Sequence, residues 1–357
     1  MPSLRPDLYR HLIRPLLFRL PPEVAQGVAD TLLRRGPWRA LAPLLRASDV
    51  RLSSDWCGIS LPNPVGLAAG LDKDCRALPS LSALSFGYLV AGTVTEAPRP
   101  GNPKPRMFRD VGQQSLVNAL GFPGQGLERA AARLEGARAA LQGTAVAVSV
   151  SGTTADEILR CHRRLEPLVD AVELNISSPN TQGLRVFHEP DTLGDLVGRI
   201  SDGRTKPLMV KLPPYPTGSA AEGDLARQRI LSLVRTCVER GVDALTVANS
   251  RPVEDSRLAV GVGGLSGQPI FPDTLRMVEE VRSEAGSRPS INACGGIFSG
   301  EDAWRALEAG ATTVQLYTAV VYRGPAVVKK ICRELLDIMS RDAIGPSGSA
   351  LSERTKK

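Results

Sequence analysis

Eight short apolar runs alternate with amphipathic helical patterns after residue 50, and this alternation constrains the fold more than any other feature of the chain. The runs cover residues 63–69, 86–92, 144–150, 169–175, 207–212, 243–248, 289–294 and 311–317. The clearest helical patterns cover residues 125–141, 154–168, 222–240, 272–286, 300–310 and 324–340. Near-continuous apolar strands are typical of a sheet covered on both faces, and their alternation with helices indicates parallel crossover connections.

Two α/β architectures fit such a pattern. Eight strand–helix units in about 290 residues match a (β/α)8 TIM barrel, which typically has about 250 residues plus insertions. An open doubly wound sheet usually carries G-x-G-x-x-G after its first strand, but here that position reads GLAAGLDK (66–73). We therefore predict the barrel.

We expect three parts along the chain. Residues 1–47 form an N-terminal amphipathic helical region, residues 48–340 form the barrel, and residues 341–357 form a flexible tail that is small and polar. Residues 93–124 make a long excursion after the second strand, too long for a simple connection. We predict that this excursion forms a lid or a pocket wall.

The net charge of +7 is concentrated near the N terminus. Residues 1–40 contain seven arginines and three acidic residues, so +4 of the total lies there. A barrel that binds nucleic acid would need a basic face beyond this N-terminal segment. Because the charge excess is local to the segment, we predict no nucleic-acid partner. The six cysteines show no C-x-x-C spacing, so neither a zinc site nor a disulfide framework is expected. No apolar run reaches the roughly 18–20 residues of a transmembrane helix.

In barrels of this type, ligand-binding groups collect where strands end and the following loops begin. Here those positions carry small or polar residues, namely Ala69, Gly70 with Lys73, Gly92, Thr93, Ser149, Asn175 with Ser178, Lys211, Asn249, Gly295, Gly296, Tyr317 and Thr318. Random loops seldom place two lysines, two asparagines and a Gly-Gly pair there. The bias predicts a binding site at this end of the barrel.

Glycine-containing turns near the end of the chain suggest a phosphate group. They lie at 263–267 (GGLSG) and 293–296 (ACGG), and Tyr317-Thr318 follows the last strand. Glycine allows backbone amides to approach an anion, and such barrels often bind phosphate after strands seven and eight. Ordinary tight turns are the alternative. The turns together favour a phosphate-bearing cofactor.

Lys73 and Lys211 are the expected inward charges, because a lysine at the end of a buried strand is rarely left unpaired. Each could pair with a structural carboxylate, or could face an electron-rich cofactor that gains negative charge on reduction. The second interpretation agrees with the scarcity of histidine, of which the chain has three.

Four asparagines, Asn118, Asn175, Asn180 and Asn249, each offer both a hydrogen-bond donor and an acceptor. Such a set suits a flat amide-type ring such as a pyrimidine. Ser178 would then remove a proton from a ring carbon made acidic by a neighbouring carbonyl. Because a hydroxyl is a poor base, loss of hydride elsewhere on the ring must assist that step. The alternative is a polar turn without a catalytic role.

Several segments together resemble the dihydroorotate dehydrogenases of the membrane-associated, quinone-using class. They are GLAAGLDKD (66–74), AGTVTEAPRPGNPKPRMFR (91–109), VNALGF (117–122), NISSPNT (175–181), VKLP (210–213), GGLSG (263–267), GGI (295–297) and QLYTA (315–319). The resemblance implies an FMN-binding barrel that oxidises (S)-dihydroorotate to orotate in pyrimidine (UMP) biosynthesis, with a membrane quinone as final electron acceptor. Related cytosolic classes have cysteine at position 178, so the serine favours the quinone class.

The resemblance also implies roles for individual residues. Ser178 is implied as the base that takes the C5 proton, Thr181 as part of the proton path, and Arg109 as a residue at the inner end of a quinone tunnel. The implied substrate contacts are Lys73, Asn118, Ala119, Leu120, Gly121, Phe122, Asn175, Asn180, Asn249 and Ser250. The implied cofactor contacts are Ala69, Gly70, Thr93, Ser149, Asn175, Lys211, Ala248, Ser266, Gly267, Gly295, Gly296, Tyr317 and Thr318. No metal ion is implied.

Three places depart from the family pattern. Ser149 and Pro123 stand where asparagine is usual, and Cys75-Arg76 replaces a small–acidic pair. A catalytically impaired flavin-binding barrel is therefore one alternative function. An FMN barrel that acts on tRNA uridines is another, but it would need a basic face and usually a catalytic cysteine.

The N-terminal residues have the pattern of a basic amphipathic helix. Leu8, Leu12, Leu16 and Leu20 recur every four residues with arginines between them, which suits a membrane interface. A second helical stretch begins near Pro22, and in the family such a pair forms the mouth through which quinone reaches the flavin. A helical cap on the barrel is the alternative. We expect a monomer bound peripherally to the cytoplasmic side of the cell membrane.

Overall fold

The structure, a computed structural model, describes residues 7–141, 143–177, 183–215 and 220–342. Within these ranges the strands are β1 (Ser54–Trp56), β2 (Ile59–Leu61), β3 (Val65–Leu67), β4 (Tyr88–Val94), β5 (Met107–Asp110), β6 (Ser115–Asn118), β7 (Ala145–Val150), β8 (Ala171–Asn175), β9 (Leu208–Lys211), β10 (Ala244–Val247), β11 (Arg251–Glu254), β12 (Val262–Gly267), β13 (Ser290–Cys294) and β14 (Thr313–Leu316). The helices are α1 (Arg14–Phe18), α2 (Pro22–Arg35), α3 (Trp38–Leu45), α4 (Leu78–Ser82), α5 (Leu127–Ala137), α6 (Ala155–Leu165), α7 (Pro190–Ser201), α8 (Ala220–Glu239), α9 (Phe271–Ala285), α10 (Gly300–Glu308), α11 (Thr318–Arg323) and α12 (Val327–Asp342). A π-helical turn, Tyr9–Ile13, leads directly into α1.

Eight parallel strands close into a barrel in the order β3-β4-β7-β8-β9-β10-β13-β14. The last strand returns to the first, with Val314 opposite Val65. Each of the eight predicted apolar runs overlaps one barrel strand, and the predicted TIM barrel is confirmed. Its strands are buried almost throughout, because helices cover the outside and side chains fill the inside.

Helices α6 and α10 begin at capping boxes, formed by Thr154 with Glu157 and by Ser299 with Asp302. Such pairs satisfy backbone N–H groups that the first helical turn leaves unbonded. Helix α7 is not among the clearest helical patterns of the sequence, since two glycines lower its intrinsic helical propensity. Its buried apolar face, packed on the barrel, stabilises it instead.

The middle of the barrel is polar, where barrels of this kind more often carry branched aliphatic side chains. Asn292 Oδ1 accepts hydrogen bonds from Trp56 Nε1 at 2.9 Å and from Thr313 Oγ1 at 2.8 Å. Asn292 Nδ2 donates to Thr246 Oγ1 at 3.2 Å, and Thr246 Oγ1 donates to Glu173 Oε2 at 2.9 Å. This chain of hydrogen bonds links four barrel strands and the hairpin strand β1 across the interior.

The β1–β2 hairpin closes the amino-terminal end of the barrel. Its Trp56 stacks on Tyr88 of β4 with ring centroids 4.2 Å apart, and Cys57 N donates to Ser290 Oγ at the start of β13. Both aromatic rings are fully buried. The cavity of the barrel is therefore accessible from its other end, where the strands terminate.

A four-stranded antiparallel sheet, β11-β12-β6-β5, was not predicted. In it, Asn118 of β6 lies opposite Gly264 of β12, and Ser115 lies opposite Gly267. The β5–β6 hairpin comes from the excursion at residues 93–124. Its partner strands lie far along the chain, so local sequence pattern cannot reveal the pairing.

The N-terminal helices are attached to the barrel by a few polar contacts. Tyr9 OH donates to Val321 O at 2.7 Å, and Arg14 Nη1 donates to Tyr322 O at 3.3 Å. The predicted helical pair is present, and the short helix α3 follows it. No helix in the described part of the chain is both long and apolar enough to cross a membrane. The division into three domains stays a prediction.

Candidate active site

A cavity opens where the barrel strands end, at the place that the sequence predicted. The predicted site residues on its wall are Ala69, Gly70, Lys73, Thr93, Asn118, Leu120, Gly121, Phe122, Asn175, Lys211, Ala248, Asn249, Ser250, Ser266, Gly267, Gly295, Gly296, Tyr317 and Thr318. The excursion at residues 93–124 supplies five of them, so it forms a pocket wall as expected. Ser178, Asn180 and Thr181 lie outside the described residues, and their roles stay predictions.

Lys211 places a positive charge at the base of the cavity. Its side chain is 4% exposed, and its Nζ lies 3.9 Å from Cys294 Sγ. No ion pair among the described residues includes Lys211. Because a buried ammonium outside any ion pair is costly, this site suits a ligand that carries or gains negative charge.

Lys73 provides a second amine at the cavity wall. Its Nζ donates to Gly70 O at 2.7 Å, within the turn that follows β3. Burial lowers the pKa of Lys73 to about 8, and the nearby Asp74 only partly opposes that shift. The amine therefore changes charge close to neutral pH unless an anionic ligand stabilises its ammonium form.

Hydrogen bonds between strand ends fix the polar side of the cavity. Asn175 Nδ2 donates to Thr93 Oγ1 at 2.9 Å, and Asn175 Oδ1 accepts from Ser177 Oγ at 2.8 Å. Asn249 Nδ2 donates to the same Ser177 Oγ at 3.0 Å. Two asparagines from different strands thus hold Ser177, the residue immediately before Ser178 in the chain.

Ser149 and Ala119 are predicted site residues that do not line the cavity. The Ser149 hydroxyl lies behind the wall, 3.0 Å from Thr93 Oγ1. The Ala119 carbonyl accepts from Asn102 Nδ2 at 3.0 Å, which fixes the loop that carries Phe122. Both residues support neighbours that do reach the cavity.

The turns after β12 and β13 require glycine where they lie closest to neighbouring backbone atoms. Gly296 has φ +72°, and a Cβ there would lie 2.5 Å from Phe271 N. Gly267 has φ +102°, and a Cβ there would lie 2.3 Å from Gln114 O. Gly267 and Gly296 form a rim of the cavity together with Thr318. Such a rim, together with the buried cation Lys211, fits a phosphate-bearing redox cofactor.

A second cavity lies between the N-terminal helices and the barrel, and its wall is mainly apolar. The apolar lining residues include Ile13, Leu17, Phe18, Ala25, Ala29, Leu32, Leu33, Trp38, Leu71, Leu81, Leu84, Met107, Leu116, Val320 and Val321. Tyr317 lines this apolar cavity and also the polar cavity. The two cavities therefore meet at one side chain.

Arg109 lies at the wall of the apolar cavity, and its role in a quinone tunnel stays a prediction. Its guanidinium donates to the carbonyls of Leu17 at 3.5 Å, of Phe18 at 3.5 Å and of Leu20, and lies 4.4 Å from the Phe18 ring centroid. These carbonyls end helix α1, where a cation is favourable. Arg109 therefore also holds the turn between α1 and α2.

Comparison with known proteins decides the family. The family model described as dihydroorotate dehydrogenase matches residues 51–339. The chain belongs to the dihydroorotate dehydrogenase family.

Individual relatives agree with this assignment. Dihydroorotate dehydrogenase (quinone) of Thermus thermophilus is 37% identical over 346 residues, covering 93% of this chain and 97% of that protein. The protein of the same name from Chloroflexus aurantiacus is 37% identical over 361 residues, covering 92% and 96%. A crystal structure of Eimeria tenella DHODH in complex with ferulenol superposes with a TM-score of 0.81 at 27% identity, covering 96% of this chain and 99% of that one. Quinone-dependent dihydroorotate dehydrogenases are oxidoreductases, and the predicted resemblance is confirmed.

Sequence reasoning missed some residues of the cavity in this dihydroorotate dehydrogenase-family chain. They are Ala68, Ile270, Cys294, Ile297, Phe298, Gln315 and Ala319. Strand geometry could have identified Gln315 and Cys294 as cavity residues from the sequence. Side chains alternate between the two faces of a strand, so residues two positions before Tyr317 and Gly296 point into the barrel as well.

Proposed function

We propose that this protein oxidises (S)-dihydroorotate to orotate in pyrimidine (UMP) biosynthesis, with FMN and a membrane quinone as electron acceptors. The observation that carries the proposal is the shared position of Tyr317. A polar cavity suited to a small anionic ring and an apolar cavity suited to a quinone meet there. Family membership supports the same reaction, because curated relatives are dihydroorotate dehydrogenases that use quinone.

FMN, when bound, accepts the hydride that leaves C6 of dihydroorotate and passes both electrons on to the quinone. The residues suited to hold it combine a buried cation, hydroxyls and glycine turns. We assign this role to Ala69, Gly70, Thr93, Asn175, Lys211, Ala248, Ser266, Gly267, Gly295, Gly296, Tyr317 and Thr318. Lys211 would stabilise added negative charge, since no carboxylate of the described residues forms an ion pair with it.

Dihydroorotate combines a carboxylate with a ring whose edge alternates N–H and C=O groups. Lys73 suits the carboxylate, because an anion beside it would restore the ammonium form that burial disfavours. Asn118, Asn249 and Ser250 line the same cavity and offer paired donors and acceptors. Asn180 is assigned the same role from the family resemblance.

We assign the proton transfer to Ser178. The serine would take the C5 proton while the hydride leaves C6, since a hydroxyl is too weak a base to act before that bond breaks. Ser177, held by Asn175 and Asn249, fixes the chain immediately before it. Thr181 would lead the proton away, as the resemblance implies.

The N-terminal helices would bind the membrane surface. Exposed leucines on their outer side, such as Leu8, Leu12 and Leu16, are 63%, 56% and 54% exposed. Arginines between them suit anionic lipid headgroups, and the apolar cavity under the helices suits a quinone. We propose a monomer bound peripherally at the cytoplasmic side of the cell membrane, with Arg109 at the inner end of the quinone path.

Anaerobic titration with dihydroorotate tests the proposal. Purified protein should be yellow and should lose its visible flavin absorbance, at roughly one equivalent of substrate per flavin. Added quinone should then restore the colour. A yellow protein that stays oxidised would favour the impaired flavin-binding barrel, and a colourless protein would refute the FMN assignment.

A further inference from the structure

Gln315, on the last barrel strand, is a buried amide whose hydrogen-bonding groups are largely unused. Its side chain is 2% exposed and lies on the wall of the polar cavity. Oε1 has no donor among the described groups, and Nε2 faces only the Tyr88 hydroxyl oxygen, without good hydrogen-bond geometry. Buried amide groups in folded proteins nearly always have partners, so this pair of atoms points to a ligand.

The barrel interior below Gln315 cannot supply the missing donor. The Trp56 indole N–H can only donate, so Asn292 turns its oxygen toward it and accepts from Thr313 there as well. The Thr313 hydroxyl proton is thereby used. The Tyr88 hydroxyl, 2.7 Å from Thr313 Oγ1, must donate to that oxygen. The Tyr88 oxygen can accept from one hydrogen of Gln315 Nε2, but Tyr88 has no proton left for Gln315 Oε1. Oε1 and the second Nε2 hydrogen therefore remain for a ligand.

The sides of the cavity do not supply partners for Gln315 either. Cys294 is its register partner on β13, and the Cys294 thiol faces Lys211 Nζ at 3.9 Å. Gln315, Cys294 and Lys211 thus lie side by side at the base of the polar cavity, where an amide and a cation are both available to a ligand. Whatever binds there meets a donor, an acceptor and a positive charge together.

We propose that Gln315 binds the FMN ring directly, with Oε1 accepting from the ring N–H and Nε2 donating to an adjacent ring carbonyl. The inference rests on the proposed FMN site and adds a residue to it. A ring edge that alternates N–H and C=O is the complement of a carboxamide. The donated hydrogen bond strengthens as the ring gains negative charge, so Gln315 also raises the reduction potential of the bound cofactor.

Two substitutions in the FMN-loaded protein test this assignment. Gln315→Met keeps the length of the side chain and removes both polar atoms. Loss of two hydrogen bonds, each contributing a modest net amount, should raise the Kd for FMN about 10–30-fold. Gln315→Glu replaces the amide donor with a carboxylate near the ring, so its midpoint potential should be more negative than that of Gln315→Met. FMN release is followed by fluorescence, and the potential by equilibration with a reference dye.

Gln113→Met is the matched control, because Gln113 is exposed and lies off both cavities. It should leave the Kd and the potential as in wild type. Wild-type Kd and potential in Gln315→Met would overturn the inference and assign the partner to a buried water. Equal weakening in both Gln315 variants without any change of potential would overturn it too, because packing alone would then explain the loss. A wild-type protein that binds no FMN would refute the proposed function and this inference together, whereas a yellow wild type with unaffected variants refutes only the inference.

Discussion

The two cavities differ in how the chain builds them. The polar cavity is made from the ends of barrel strands, whose side chains are hydrogen-bonded to each other, as in the pair Asn175–Thr93. The apolar cavity is made by helices that pack on the outside of the barrel and are attached through contacts such as the hydrogen bond from Tyr9 to Val321 and the ion pair of Glu23 with Arg106. A rigid polar site suits transfer of protons and hydride, which demands fixed geometry. An apolar site under surface helices suits exchange of a hydrophobic electron acceptor with the membrane.

The difference implies that each half of the reaction can be altered without the other. Tyr317 is the residue through which a disturbance on one side would reach the other. Burial raises the pKa of Tyr317 to about 12, so its hydroxyl stays neutral and carries no charge between the cavities at physiological pH. Variants on either side therefore test whether the two regions are independent.

The largest effect is expected for Ser178→Ala. Loss of the proposed base should slow reduction of the bound flavin by dihydroorotate about 10²–10⁴-fold, while reoxidation by quinone stays at the wild-type rate. Anaerobic stopped-flow absorbance measures both half-reactions. Ser340→Ala, at an exposed serine near the end of α12, is the control. A normal rate of reduction in Ser178→Ala would remove the base assignment.

The next largest effect concerns the membrane surface. Replacing Leu12 and Leu16 together with glutamate should weaken binding to anionic vesicles roughly 30-fold, because each half-exposed leucine offers about 1 kcal/mol of apolar burial. Reduction by dihydroorotate should not change. Leu225→Glu is the control, since Leu225 on α8 is 60% exposed and lies outside the N-terminal helices. Sedimentation with vesicles measures the bound fraction of each variant. An equal loss of vesicle binding in Leu225→Glu would contradict a membrane-binding face on the N-terminal helices.

Gly324→Ala should disturb the apolar cavity alone. Gly324 has φ +76°, and a Cβ there would lie 2.3 Å from the Tyr9 ring, so the N-terminal helix must shift. We expect kcat/KM for quinone to fall about tenfold, since strain of this kind costs about 1–3 kcal/mol. Gly286→Ala is the control, because Gly286 has φ +66° but nothing within 4 Å of the added atom. A matching loss in the rate of flavin reduction would show that the two cavities are coupled.

The smallest expected effect is a pH dependence in the polar cavity. The pKa of Lys73 lies at about 8, so the amine is charged below that pH and neutral above it. An anion binds the ammonium form, and the Kd for orotate should rise about fourfold between pH 7 and pH 8.5. Perturbation of the flavin spectrum measures that Kd. Lys73→Met should bind orotate weakly, and its Kd should not depend on pH in this range. The same pH dependence of the Kd in that variant would assign the titration to another group.

The sequence was sufficient to predict the barrel and to place most of the predicted site residues on the wall of one cavity. Alternating strand and helix patterns are local, because each depends on residues only a few positions apart. Parallel strands bring their carboxyl ends to one edge, so residues as distant as Lys73 and Thr318 can be assigned to one site from their positions at strand ends alone. The family resemblance then added roles for residues such as Ser178 that pattern alone leaves open.

The tertiary structure decided what depends on contacts between distant segments. The pairing of β6 with β12, the placement of Ser149 behind Thr93, and the sharing of Tyr317 by two cavities leave no trace in local periodicity. The same holds for Gln315, whose Oε1 lacks a donor because of a hydrogen-bond chain that begins at Trp56. Local pattern determines which way a side chain points, whereas its partners are set by non-local packing, which only the closed barrel defines.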